Sequence, residues 1–332
     1  MTEGPGPATR AAAGAAARPV TRPAAVAGVT ALTLVTWASA FPAIRLAVRE
    51  YTPGSLALLR FLVASATLGL YALLGGRGRF RRAERRDIPF FLLLGLIGVS
   101  VYHFALNAGE RTVTAGTASL LIGMTPLFTV LLALTFLRER LSLRRWAGIA
   151  VGFAGATIVS LDAGSGIRLE PGAALVLLAA LASASWFVMQ KPYLARYSAL
   201  EVTSYSLWAG TIFLLLFAPS LGSEVARASA GATIAAVYLG VVPGALGYLT
   251  WTWVLAKMPA SRAAGSLYAI PPLAYLFSWI FLGEKPGPLT ILGAAVVLGG
   301  VALVNVGRAR GNGAGAAAPR GQDEQPDPPP TP

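Results

Sequence analysis

Apolar residues along this chain gather into ten long blocks separated by short polar gaps. Each block reaches the about 20 apolar residues that an α-helix needs to cross a hydrocarbon core of about 30 Å. The pattern predicts transmembrane helices over residues 27–48, 53–74, 88–110, 113–137, 145–161, 171–190, 202–220, 232–256, 260–282 and 289–306. The expected fold class is therefore an all-α integral membrane protein with ten transmembrane helices, and its first partner is the lipid bilayer.

Composition agrees with the pattern. Only 12% of the 332 residues are charged and 55% are hydrophobic, whereas soluble domains carry about 25% charged residues. A water-soluble enzyme is all but excluded. The net charge of +13 would point to nucleic acid in a soluble protein. Here the basic residues sit in short gaps between spans, so no nucleic-acid partner is expected. Cysteine is absent, which removes disulfides, thiol catalysis and cysteine-ligated metals. Residues 1–23 and 309–332 are rich in Ala, Pro and Gly and lack the apolar surface that offsets ordering entropy, so both are expected to be disordered cytoplasmic tails. The first apolar block is too long for the core of a signal peptide and is expected to remain as the first span.

Orientation follows from the loops, because Lys and Arg concentrate on the cytoplasmic side. With ten spans, twenty basic residues fall on the side of the termini and six on the other, with Arg60 left inside a span. Both termini are thus expected in the cytoplasm of a multi-pass plasma (inner) membrane protein. The cytoplasmic cluster Arg77 to Arg86 is suited to anionic lipid.

Sliding the chain against itself by 145 residues aligns residues 95–159 with 240–304 without a gap. Gly95 meets Gly240, Pro126 meets Pro271, Glu139 meets Glu284, Gly155 meets Gly300, and His103 meets Tyr248. Upstream the match is looser, with Arg45 against Lys191. Five spans separate equivalent points, so the two copies must cross in opposite directions. Charge agrees: Arg138, Arg140, Arg144 and Arg145 follow the fourth span, and Lys285 alone follows the ninth. The chain divides into two inverted five-helix repeats, 27–161 and 171–306, the architecture of many secondary transporters.

The combination of Trp37-Ala-Ser-Ala-Phe-Pro-Ala-Ile-Arg45, Leu59-Arg60-Phe61, Leu137-Arg-Glu-Arg-Leu-Ser142 and Leu282-Gly-Glu-Lys285 resembles the EamA-type transporters of the drug/metabolite transporter superfamily. The resemblance covers residues 27–306 and departs at Lys285-Pro-Gly-Pro288. It implies a plasma-membrane carrier of small metabolites, often an exporter of amino acids or related compounds.

Ionisable residues inside spans are costly and usually face the bundle interior. Arg60 can hold a substrate carboxylate; alternatively it snorkels outward or pairs with Glu50 or Glu110. His103 lies one turn before Asn107 and can relay protons, or the pair can join helices. Pro126, Pro271 and Pro272 interrupt spans four and nine at matching places, and Pro243 interrupts span eight. Such breaks free carbonyls that must face protein or a cavity, which places the pathway between spans three, four, eight and nine, unless the kinks only shape packing. Tyr248, Trp251, Tyr268 and Tyr275 are deep enough to line it; Trp37, Trp186, Tyr205 and Trp208 are further candidates, several of which suit the interfacial belt better. Glu139 and Glu284 read as helix-end residues paired with nearby cations.

The expected activity is gradient-driven movement of a small organic solute, an amino acid, related compound or drug, by alternating access and in the direction of efflux. The alternative is a membrane enzyme acting on a lipid or isoprenoid substrate, which would need clustered Asp, Glu or His. The chain has one His and no such cluster in its spans. No catalytic residue, metal or cofactor is expected, and the oligomeric state, monomer or homodimer, is left open.

Overall fold

The computed structural model describes residues 23–74, 80–137, 142–162, 171–283 and 287–305. Most of the expected tails, together with Arg77, Arg79, Glu139, Glu284 and Lys285, lies outside them. Among the described residues the secondary structure is entirely helical. Eight helices are long and apolar enough to cross a membrane. They are α1 (Pro23–Ala47), α2 (Pro53–Leu74), α3 (Arg85–Gly109), α4 (Ala115–Phe136), α6 (Pro171–Ala195), α7 (Ala199–Arg227), α8 (Ala230–Lys257) and α9 (Ala260–Leu282). Two more, α5 (Leu143–Asp162) and α10 (Pro288–Asn305), carry the shorter apolar stretches Trp146–Gly155 and Ile291–Gly300.

Local chemistry accounts for the helix ends. Thr114 caps α4 by accepting from Thr117 N–H at 3.2 Å, and Ser229 caps α8 by accepting from Ala232 N–H at 3.2 Å. At α7, Ser198 and Glu201 form a reciprocal capping box that satisfies two otherwise orphaned donors. Gly283 ends α9 at φ 70°, a left-handed conformation that costs glycine nothing. The largest departure from the hydropathy pattern is at the end of α7. Helix α7 continues past Ser220 to Arg227 through the amphipathic turns Ala218–Arg227, whose buried member is Glu224.

The duplication is visible in the packing. Helices α3 and α8 both widen into π-helical stretches, Leu96–Val101 and Gly240–Gly247, that match at the 145-residue offset. Just before the first and opening the second, Gly95 and Gly240 let a neighbouring backbone approach. A Cβ on Gly95 would stand 2.6 Å from the Ser206 carbonyl, and one on Gly240 would stand 2.6 Å from the Arg60 carbonyl. Arg60 and Ser206 are themselves counterparts under the looser upstream register that pairs Arg45 with Lys191.

Two hydrogen bonds join a residue to its own repeat counterpart, as occurs on a two-fold axis: Ser65 Oγ to Thr211 Oγ1 at 2.8 Å and His103 Nε2 to Tyr248 Oη at 2.7 Å. Each half also closes on a cation. Arg45, at the end of α1, donates to the Glu110 carbonyl at the end of α3. Its counterpart Lys191 donates to the carbonyls of Leu255 and Met258 at the end of α8. Positive charge at a helix C-terminus is favoured by the aligned peptide dipoles.

Candidate functional site

The matched breaks in α4 and α9 surround the middle of the molecule. In α4 the helix turns at Gly123–Met124 and resumes at Thr125, with Pro126 in its first turn. In α9 a 3-10 turn, Leu267–Ala269, precedes Ile270, Pro271 and Pro272. Proline has no N–H to donate, so the carbonyls four residues earlier, Ile122 and Leu267, lose their α-helical partner. The Leu267 carbonyl is taken instead by Ile270 N–H. Both residues line a central cavity, and they are repeat counterparts.

That cavity has a volume of about 40 Å³. Roughly 10–15 Å³ suffices for one water. Its wall is supplied by α1 (Trp37, Phe41, Ile44), α2 (Arg60), α3 (Gly98, Tyr102, His103, Leu106), α4 (Ser119, Thr125), α6 (Ser183, Trp186, Phe187), α8 (Tyr248) and α9 (Leu267, Ile270). The cavity thus draws on α1, α2 and α6 as well as on α3, α4, α8 and α9.

Arg60 is the charged member. It is 2% exposed, so it does not snorkel to water. Glu50, one partner expected for it, instead accepts from the backbone and hydroxyl of Ser229 at 2.5 and 2.7 Å. The Arg60 Nε and Nη1 groups are buried with no hydrogen-bond acceptor. Its guanidinium carbon lies 5.5 Å from the Phe61 ring centroid, and Tyr248, Tyr102 and Glu110 are within electrostatic reach. An arginine within a span costs about 2.5–3.5 kcal/mol on insertion scales. Leaving its donors unpaired adds to that cost.

Aromatic rings form much of the wall and its backing. Trp37 stacks on Phe187 at 6.1 Å, Trp186 meets Tyr248 at 4.8 Å, and Phe61 meets His103 at 4.5 Å between centroids. Trp186 is 1% exposed, so it belongs to the interior and not to the interfacial belt, and Trp37 lines the cavity with it. Tyr205 and Trp208 instead cluster around Phe80 at one end of the bundle.

The other expected site residues lie behind the wall. Asn107 Nδ2 donates to the Pro53 carbonyl at 3.0 Å and so ties α3 to the start of α2. Trp251 packs under Trp37 at 5.3 Å. Tyr268 lies beneath Gly152 of α5, and Tyr275 lies against Gly116 of α4. Pro243 sits within the π stretch of α8, and its carbonyl accepts from Trp37 Nε1 at 3.2 Å. Among the described residues no cluster of three or more His, Cys, Asp or Glu could hold a metal ion.

Two polar networks that hydropathy did not reveal join the halves at opposite ends. At one end the segment before α3 is bound to the start of α7. Arg196 pairs with Glu84 and Asp87 at 3.0 Å each, Tyr197 donates to Asp87 at 2.6 Å, Tyr205 donates to the Arg81 carbonyl at 2.5 Å, and Glu201 accepts from Arg81 N–H. At the other end Glu224 accepts from Thr52 N–H at 2.8 Å and from Ser55 Oγ at 2.9 Å. Outside the spans, the hydrogen bond from Arg196 holds the Glu84 carboxyl below its ordinary range, and the Ser229 N–H does the same for Glu50.

Comparison with known proteins agrees with this architecture. The EamA-like transporter family model matches twice, over residues 26–161 and 170–306. A protein of Streptantibioticus cattleyicolor named "Probable terminal-alkyne amino-acid exporter" is 43% identical over 84% of this chain and 94% of its own length. The Bacillus subtilis uncharacterized transporter YdfC is 40% identical over 80% and 86%. A solved crystal structure shares the fold, with a TM-score of 0.63 at 20% identity over 83% of this chain and 96% of that one. This multi-pass membrane protein is a small-molecule transporter, not an enzyme, and it belongs to the EamA-like transporter family.

Proposed function

We propose that the protein exports a small amino-acid-like metabolite across the plasma membrane by alternating access, with the substrate carboxylate held by Arg60. The observation that carries this reading is the Arg60 guanidinium, buried among aromatic rings with Nε and Nη1 unpartnered. A planar cation with bare donors in a low-dielectric cavity is matched by a carboxylate, which accepts charge-assisted hydrogen bonds. The name of the relative from Streptantibioticus cattleyicolor supports an amino-acid cargo. In this reading the chain crosses the bilayer ten times as inverted repeats 27–161 and 171–306, with both termini cytoplasmic. The Arg196 network closes the cytoplasmic mouth, the Glu224 network closes the external one, and the two open in turn.

The test is transport into proteoliposomes of a panel of labelled amino acids that includes propargylglycine, a terminal-alkyne amino acid. Arg60→Gln should slow the best substrate about 10- to 100-fold, the value of a hydrogen-bonded charge pair. Ser206→Ala, at the counterpart position, should stay near wild type, because Ser206 Oγ bonds only its own helix at Val202 and Thr203. Undiminished transport by Arg60→Gln would refute the carboxylate site.

A further inference from the structure

We infer that the cavity recognises the zwitterionic head of an α-amino acid at two points, the carboxylate on Arg60 and the ammonium on Nδ1 of His103. This rests on the carboxylate reading of Arg60 and adds a second contact that selects the substrate class.

The tautomer of His103 follows from its neighbours. Tyr248 Oη lies 2.7 Å from His103 Nε2 and 3.1 Å from the Gly98 carbonyl, within the π stretch of α3. A phenol has one hydrogen and a carbonyl can only accept, so the hydroxyl donates to Gly98. The imidazole must then donate to the phenol oxygen through Nε2–H. Glu110, the carboxylate within electrostatic reach of Arg60, balances one cation and not two, so a charged imidazole there would cost far more than an uncharged ring. The single imidazole hydrogen is therefore on Nε2, and Nδ1 is a bare lone pair. His103 is 1% exposed, lines the cavity, and its Nδ1 has no hydrogen-bond partner.

Two residues that line the cavity thus carry buried, unsatisfied polar groups of opposite kind, donors on Arg60 and an acceptor on His103. Phe61 sets their spacing, with the guanidinium carbon 5.5 Å and the imidazole centroid 4.5 Å from its ring centroid. The two groups can be no farther apart than those lengths laid end to end. An α-amino acid offers a carboxylate and an ammonium on one carbon and satisfies both. A simple carboxylate leaves Nδ1 unpaired, and a simple amine brings a second positive charge to Arg60. The Trp37, Trp186 and Phe187 rings leave an apolar wall for the side chain.

The experiment compares two sets of labelled probes in proteoliposomes at neutral pH. One set is norvaline, butylamine and pentanoic acid; the other is phenylalanine, phenethylamine and 3-phenylpropanoic acid. In at least one set the amino acid should move about tenfold or more faster than either truncated analogue, as expected for one charge-assisted hydrogen bond. His103→Gln keeps an N–H for the Tyr248 oxygen but offers no acceptor at the Nδ1 position. It should bring the ratio of amino acid to acid close to one, while the melting temperature of the purified protein stays near wild type. If the acid moves as fast as the amino acid, or if His103→Gln keeps the ratio, the two-point site is wrong and a carboxylate transporter remains. If none of the six probes moves, both readings fail.

Discussion

The two halves of this transporter share a scaffold and differ in chemistry. Gly95 and Gly240 open matching π stretches, and Arg45 and Lys191 close matching helix ends. Where the halves meet the cavity the likeness stops. The position that is Arg60 in the first half is Ser206 in the second, and His103 faces Tyr248 across the axis. A pseudo-symmetric frame lets two states have similar energy, as alternating access requires. In the proposed reading the charged contact to the cargo comes from one half alone, which gives the site a direction. Duplication therefore explains the frame, and divergence of a few interior side chains is what the proposed specificity rests on.

If that division is right, damage to the frame should be symmetric. The largest expected effect comes from Gly95→Val and Gly240→Val. Each puts a side chain where even a Cβ would stand 2.4 or 2.6 Å from the nearest backbone atom of the facing helix. Overpacking of this kind costs about 1–3 kcal/mol or more. Both variants should show similar losses of melting temperature, followed by tryptophan fluorescence in detergent; a loss at only one site would break the equivalence. A smaller symmetric effect is expected from Arg45→Met and Lys191→Met. Each removes a cation from carbonyls at a helix end, worth about 1–2 kcal/mol. Comparable destabilisation of the two would sharpen the comparison, and a neutral Arg45→Met would show that the first half closes by other means.

How much of this was legible follows from which signal each feature leaves. The helices were legible because a bilayer demands long apolar runs, and the duplication because its most informative markers are Gly, Pro and charge. Arg60 was visible as a lone cation in an apolar block, and its counterpart relation to Ser206 follows from the same register. What hydropathy cannot tell is lipid from protein interior, since both are apolar. Trp186 fits a belt by sequence and a cavity wall by structure for that reason. Glu224 was missed because the turns after Ser220 are amphipathic and read as loop, although one of their faces packs on α2 and buries the carboxylate. Asn107 shares a helix face with His103, but its amide is taken up by the Pro53 carbonyl, a contact that spacing along one helix does not reveal.

The smallest effect separates the two ends of the bundle. The ion pairs of Glu84 with Arg86 and Arg196 and of Asp87 with Arg196 all belong to the Arg196 end, and the Arg196 and Glu84 side chains there are 38% exposed. At the other end Glu50 and Glu224 accept from neutral N–H and O–H groups. Glu84 and Glu50 are both held below the ordinary carboxyl value of 4.5, by Arg196 and by Ser229 respectively. A carboxyl lowered in the folded state stabilises it above that ordinary value, and the contribution is lost as pH falls through the lowered one. Acid should therefore loosen both ends. Salt should act on one alone, because raising it from about 0.1 M to about 1 M shortens the screening length from about 10 Å to 3 Å and weakens exposed ion pairs, while hydrogen bonds to neutral donors barely respond. Hydrogen exchange followed in residues 80–87 and 50–55 checks this directly. Below pH 4.5 both segments should exchange faster relative to the rest of the chain, and added salt at neutral pH should speed only residues 80–87. Equal acceleration by salt at both ends would mean that the charge asymmetry between them does not control their opening.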